Sequence, residues 1–393
     1  MIMFLDSHEY SECCGCAGCH DVCPVHAISM TEAHDGFLYP KIDESICIHC
    51  QKCRNICAFA FNPASNEDYV TNEVYYGWLL KTEKRLNSTS GGAFISIANT
   101  FLDLHHETES IIYGAAWRDS SFVAHIGLKN SSDISLLSRS KYIRSSMVNI
   151  YEEIRDALRK GRYVLFSGLP CQVAELYTYL GQRYEKQLLT VDLICNGVAS
   201  PLVFKDYISA LGLKKRKKVI KYTFRNKVPE RKSQKFINIE YADGTTDKTE
   251  NDLFYIAYQK RLLHPHSCFR CPYTQFNHKS DITLGDFWHL EEKIVNLTIE
   301  RPYGISMVLC NTSVGSELVK NISDMSLQKT ELEFIDFGEV MNETLINKKS
   351  KQFFDSYSPK TVYKNLTVNI GVKELLSRKY PGIYSLYKLI VHK

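Results

Sequence analysis

The sequence predicts two unlike parts: a small α+β unit dense in cysteine, then a larger α/β domain with a mainly parallel or mixed sheet. Three observations carry that prediction. Nine of the 14 cysteines fall in the first 57 of 393 residues, and eight of them write one spacing twice. From residue 74 onward, strand-like apolar runs alternate with segments whose apolar residues recur at helical spacing. Between the two, residues 63–73 are polar and aperiodic, as a linker is. The expected domains are therefore 1–62 and 74–393, with the part after 290 the least readable.

The length allows two or three domains and a sizeable core. With 44% apolar residues the chain reads as globular, and 48 basic against 44 acidic residues leave a net charge of +4, too balanced to point to nucleic acid. The opening "MIMFLDSHEY" has no basic n-region and no long apolar core, so no signal peptide is expected. No apolar run reaches the ~20 residues of a membrane span. The expected location is cytoplasmic, where structural disulfides are rare and clustered cysteines bind metal or do redox chemistry.

In "CCGCAGCHDVCP", Cys13, Cys16, Cys19 and Cys23 are spaced C-x2-C-x2-C-x3-C-P. In "CIHCQKCRNIC", Cys47, Cys50, Cys53 and Cys57 repeat that spacing 34 residues later, with Ala58 where the proline would stand. This is similar to the bacterial ferredoxin run, in which three close cysteines wrap one cubane and the fourth ligates the other. The expectation is two [4Fe–4S] clusters, one on Cys13, Cys16, Cys19 and Cys57, the other on Cys47, Cys50, Cys53 and Cys23. A zinc knuckle more often pairs two C-x2-C units than packs three cysteines per run. Cys14 falls outside the spacing and reads as a bystander.

In the larger part, "VYYGWLL" (74–80), "IIYGAAW" (111–117), "YVLFS" (163–167) and "LLTVDLI" (188–194) read as strands. Residues 91–104, 147–158 and 171–180 read as helices, the first two from apolar stripes such as Ile97, Ala98 and Phe101, and Ile150, Ile154 and Leu158. Residues 219–226 and 235–242 read as a β-hairpin insertion. Three short loops follow strands or open helices: "STSGG", "SGLPCQ" and "CNGVASP". In α/β folds ligands sit there, at strand carboxyl ends and helix N-termini. An ordinary helix-start turn explains any one of them. Cys171 and Cys195 lie in two of these loops, and a lone C-x-x-C supplies Cys268 and Cys271. These four could hold a third [4Fe–4S] cluster, or zinc, or act separately; non-contiguous ligands leave no spacing rule to decide. Cys310, inside "ISMVLCN", reads as a core residue. There is no G-x-G-x-x-G and no P-loop signature.

The ordered motifs "STSGGAF", "SRSKYIRSS", "LFSGLPCQVAEL", "DLICNGVASP" and "CFRCPYTQFNHKSDITLGDFW" resemble the coenzyme F-420 hydrogenase/dehydrogenase beta-subunit family from about residue 74 to 290. That resemblance implies an oxidoreductase holding FAD and a [4Fe–4S] cluster in this domain. It implies flavin contacts at Ser90, Gly91, Gly92, Lys141, Gly168, Gln172 and Asn196, a third cluster on Cys171, Cys195, Cys268 and Cys271, and support from Asp281 and Asp286. The structural alternative for Lys141 is a solvated lysine, and for the two aspartates a strand and its turn. A flavin accepts a hydride and releases single electrons, which a domain joining iron–sulfur clusters to a two-electron substrate needs. The implied partners are an electron carrier such as ferredoxin, or a partner redox subunit, and a small-molecule substrate or coenzyme.

Two rivals remain at this level: an electron-transfer subunit with no substrate of its own, and a non-redox module stapled by zinc. The basic run Lys214 to Lys218 could attract an acidic carrier but reads first as a solvated loop. The aromatic, basic tail 380–393 could touch a membrane surface but reads first as a packing helix.

Overall fold

The computed structural model describes residues 3–61, 73–105, 109–181, 184, 186–231, 233–273, 278–287, 301–332 and 348–379. The expected linker, apart from Glu73, and the tail 380–393 lie outside the described residues. The strands are β1 (Ile28–Glu32), β2 (Leu38–Ile42), β3 (Glu73–Leu79), β4 (Ser110–Trp117), β5 (Val123–Leu128), β6 (Tyr163–Ser167), β7 (Leu188–Leu193), β8 (Val219–Val228), β9 (Ser233–Tyr241), β10 (Thr246–Thr249), β11 (Ile282–Asp286), β12 (Ser306–Cys310) and β13 (Met325–Thr330).

The N-terminal part is an antiparallel β1–β2 hairpin with one-turn helices, Gly18–Asp21 and Lys52–Asn55, each entered from a cysteine loop. The sequence repeat is also a backbone repeat. Gly15 and Ala17 have left-handed backbone, φ 65° and 70°, and so do His49 and Gln51 at the same offset, φ 50° and 61°. Both cysteine runs therefore fold into loops of the same hand, although three of these four residues carry a Cβ that resists that conformation.

The larger part is built on an eight-stranded mixed sheet in the order β13-β3-β12-β11-β7-β6-β4-β5. Its centre, β4, β6, β7 and β11, is parallel, and the strands flanking it on both sides run antiparallel. This is the small α+β region followed by an α/β domain that the sequence predicts. Val164, Leu165 and Phe166 of β6 are all fully buried, as expected for a strand covered on both faces. The helices Ala93–Leu104, Ile150–Arg159 and Pro170–Leu180 bury Ile97, Ile154 and Val173. Pro170 at the first turn and Gly181 in the left-handed conformation after the last set the ends of the third. The expected hairpin gains a third strand, because the Asp243–Gly244 turn returns the chain as β10 against β9. Cys310 is fully buried in β12, in agreement with its core reading.

The second helix starts at Ile150, three residues later than its apolar stripe. Asp21 of the N-terminal part accepts from the backbone N–H groups of Asn149 (2.9 Å) and Tyr151 (3.0 Å). The donors of the helix start are satisfied by a carboxylate 128 residues away in sequence, so no local cap marks the boundary. Other ties cross the same seam. Ala58 N–H donates to Glu175 Oε2 (3.0 Å), Ser200 Oγ to the Asp35 carbonyl (2.6 Å), and Tyr273 OH to the Ala58 carbonyl (2.7 Å). Phe37 and Tyr39 share an apolar core with Phe204 and Phe254. The cysteine-rich part is thus packed into the larger domain, not held beside it by the linker alone.

Candidate functional site

Two thiol-lined spaces and one cleft lie in sequence through the molecule. Cys13, Cys16, Cys19 and Cys57, the set expected for one cubane, line an enclosed space with Met3, Phe59 and Glu175. Burial pushes the thiols of Cys13 and Cys57 up to about 12. Such groups become thiolates only when a cation compensates them, which a metal centre does. The other expected set lies outward: Cys50 is exposed, Cys23, Cys47 and Cys53 are half-buried, and Cys53 is an electrostatic neighbour of both Cys23 and Cys19. Ile46 and Ile48 stand exposed beside this run. Glu44, Cys47 and His49 are the one trio among the described residues whose ligand atoms all lie within 4.8 Å of one another.

The second space brings together Cys171, Cys195, Cys268 and Cys271, from positions up to 100 residues apart, with Cys14, Phe59, Arg144 and Tyr273. Each comes from a different kind of local structure. Cys171 sits in the first turn of the helix after β6, Cys195 follows the end of β7, Cys268 lies within the 3-10 turn His266–Arg270, and Cys271 caps its end. Burial pushes Cys195 up to about 12 and raises Cys268 and Cys271 as well. Cys14 was expected to be a bystander to the ligand spacing; its thiol lies in contact with those of Cys16 and Cys171 and forms wall in both spaces.

A cleft of ≈ 320 Å³ opens at the carboxyl ends of β6, β7 and β11. It shares Leu169 and Val198 with the second thiol space. Ser90, Gly92, Lys141, Gly168, Gln172 and Asn196 all line it, drawn from the three predicted loops and the segment after Ser138. Gly91 stands behind the wall: a Cβ there would lie 2.2 Å from the Gly77 carbonyl oxygen, so the loop approaches β3 only as glycine. Several of these side chains are already engaged by the protein. Gln172 Oε1 accepts from the Leu169 N–H (2.8 Å) and its Nε2 donates to Ser145 Oγ (3.3 Å). Lys141 Nζ donates to the carbonyls of Leu137 (3.1 Å), Ser138 (2.6 Å) and Arg139 (3.2 Å), which uses all three ammonium protons. Burial, with Arg139 beside it, lowers Lys141 to about 7. Both residues shape the wall, and Lys141 is half-buried with its ammonium bonded to carbonyls, not a freely solvated lysine.

Sequence reasoning missed Arg225, His125 and Arg144. Arg225 pairs with Asp286 through two contacts of 2.5 and 2.8 Å at the cleft rim. Asp286 thus lines the cleft while Asp281 lies at the other end of β11. His125 Nε2–H donates to the Ser167 carbonyl (3.0 Å), which leaves Nδ1 a buried acceptor without a donor at the cleft. No local pattern in the sequence separates these residues from other cations and histidines. The basic run is partly neutralised: Lys215 pairs with Asp247 (2.7 Å) and Lys217 with Asp243 (2.9 Å).

His125 gives a pH prediction. Burial lowers it from 6.5 to about 3, with Arg144 and Lys141 adding to the effect. The unfolded chain takes up this proton near pH 6.5 and the folded chain does not, so stability is full above that pH and falls as pH drops. The expected loss is about 1.4 kcal/mol per pH unit below about pH 6. Urea midpoints of the wild type and His125→Gln from pH 7.5 to 5 should converge as pH falls; parallel curves would remove the effect.

Fold and site together define an iron–sulfur redox protein. Residues 12–61 match the family model "4Fe-4S dicluster domain", and residues 161–333 match the model for the C terminus of "Coenzyme F420 hydrogenase/dehydrogenase, beta subunit". The chain thus carries a 4Fe-4S dicluster domain followed by a domain like the C terminus of the coenzyme F420 hydrogenase/dehydrogenase beta subunit. The match runs past residue 290, where the sequence alone was hard to read. No curated protein matches the chain. Twelve chains of solved structures match. One, from "Xenon derivatization of the F420-reducing [NiFe] hydrogenase complex from Methanosarcina barkeri", is 16% identical over 75% of this chain and 93% of its own, with a TM-score of 0.44. No helix among the described residues is long and apolar enough to cross a membrane.

Proposed function

We propose that the protein is an iron–sulfur flavoprotein oxidoreductase with two N-terminal [4Fe–4S] clusters, a third on Cys171, Cys195, Cys268 and Cys271, and FAD in the cleft. The observation that carries the reading is the convergence of those four distant cysteines between the N-terminal thiols and the cleft. The cleft's position at strand carboxyl ends, its walls from the Ser90, Gly168 and Asn196 loops, and the unpartnered His125 acceptor favour a bound polar ring system.

When bound, the flavin supplies the exchange between one-electron and two-electron chemistry. The chain's own part is placement. The exposed Cys50 run, with Ile46 and Ile48, offers the outer cluster to a soluble electron carrier such as ferredoxin. The inner thiol sets lie deeper than the exposed Cys50, and the Arg225–Asp286 pair fixes the rim where a small substrate or coenzyme would meet the flavin. The test is metal, sulfide and flavin analysis of anaerobically purified protein. About twelve irons, from four per cubane, and one FAD per chain are expected. About eight irons would remove the third cluster, zinc without iron would overturn the reading, and absence of flavin would leave a wire without a substrate site.

A further inference from the structure

Among the described residues, Arg144 is the one buried cation at the seam between the two inner thiol sets. Only 9% of it is exposed. Its backbone is fixed by the bridge between Ile143 and Ala199 and by its own N–H donating to the Ala199 carbonyl (3.1 Å), just beyond Cys195. Its Nη1 donates to Cys171 Sγ (3.6 Å). Its Nε and Nη2 are buried and have no acceptor, and among the described residues no carboxylate pairs with it. The groups that act most strongly on it are thiols, Cys171, Cys14 and Cys16, and it also interacts with Cys13, Cys195, Cys271 and His125. It also adjoins the second space and a neighbouring cavity lined by Cys13 and Cys14.

A guanidinium taken out of water without an anion costs several kcal/mol. The arrangement is stable when the thiols around it are ionised and carry a cluster, whose net charge is negative and grows more so on reduction. The unused N–H donors then have sulfur acceptors, and such hydrogen bonds and charges set cluster potentials.

We propose that Arg144 is an electrostatic positioning residue that raises the reduction potential of the cluster on Cys171, Cys195, Cys268 and Cys271 and makes it the preferred resting place for an electron arriving from the N-terminal clusters. Cys171 is its one hydrogen-bonded thiol, so that cluster feels it most, the Cys13–Cys57 cluster less, and the outer cluster least. The inference rests on the three-cluster reading and adds the order in which the centres fill.

The experiment is an EPR-monitored reductive titration of the full-length, anaerobically purified protein, with iron counted in parallel, for the wild type, Arg144→Gln, Arg144→Met and Arg144→Lys. The neutral variants should keep their iron and lower the reduction equilibrium constant of one cubane at least tenfold, about 59 mV for one electron, with the outer cluster unmoved. Arg144→Lys, which keeps the charge, should recover most of that shift. If the neutral variants shed one cubane's iron and Arg144→Lys keeps it, the charge holds the cluster in place and does not tune it, and the inference is overturned. Unchanged potentials with full iron, or iron lost equally in all three variants, overturn it. A wild type with only about eight irons overturns the three-cluster reading and this inference together.

Discussion

Cys268→Ser is expected to lower the iron content by about one third, from about twelve to about eight per chain, while the N-terminal clusters stay. The separation follows from the structure. Cys268 reaches only the space that also holds Cys171, Cys195 and Cys271, and the wall toward the N-terminal set is made of Cys14 and Phe59. Serine is close in size but is a harder, far less acidic ligand than thiolate, so it replaces a soft iron ligand poorly. The reduced variant should also lose one contribution to the low-temperature EPR spectrum, and with it the magnetic interaction between neighbouring centres. Flavin content should fall less than iron, because the cleft shares only Leu169 and Val198 with this space. Unchanged iron and an unchanged spectrum would remove Cys268 from any cluster, whereas loss of all iron would mean that the three sites assemble as one.

The legible parts of this molecule are those whose signal is local. The two cysteine runs announce themselves by spacing, and their left-handed residues repeat at the same offset. The strand from Tyr163 to Ser167 has the predicted ends, because a short run of apolar, β-favouring residues bounded by Gly161 and Gly168 is what a buried parallel strand requires. What stays hidden is set by distant partners. The start of the helix at Ile150 depends on Asp21, Cys14 gains its neighbours only when Cys171 folds over it, and Arg144 is distinguished from Arg139 only by what surrounds it. The loop cysteines lie between these cases. Their residue type was visible and their convergence was not, since it needs the parallel order of β6, β7 and β11 to bring three loops to one edge.

Asp281 and Asp286 stand at opposite ends of β11, so they should behave differently when replaced. Asp281→Ala is expected to destabilise the protein by about 4 kcal/mol, the scale of losing a buried network of hydrogen bonds to a charged group. Asp281 Oδ2 accepts from Thr190 N–H (2.8 Å), Thr190 Oγ1 (2.8 Å) and Tyr177 OH (3.3 Å), and Oδ1 accepts from Thr312 Oγ1 (2.8 Å). One carboxylate therefore joins β7, the helix Pro170–Leu180 and the N-cap of the helix Ser313–Lys320. Alanine leaves the Thr190 N–H buried without that acceptor, a cost that no packing change recovers. Asn keeps one accepting oxygen and the shape, so Asp281→Asn should cost about half as much. Thermal unfolding should fall by on the order of 10 °C for the alanine variant. Because Asp281 precedes β11 while the cleft lies past its far end at Asp286, the folded fraction should keep its flavin and iron content. A variant that unfolds at the wild-type temperature would show the network to be dispensable, and a stable variant that loses flavin would move Asp281 from the scaffold into the site.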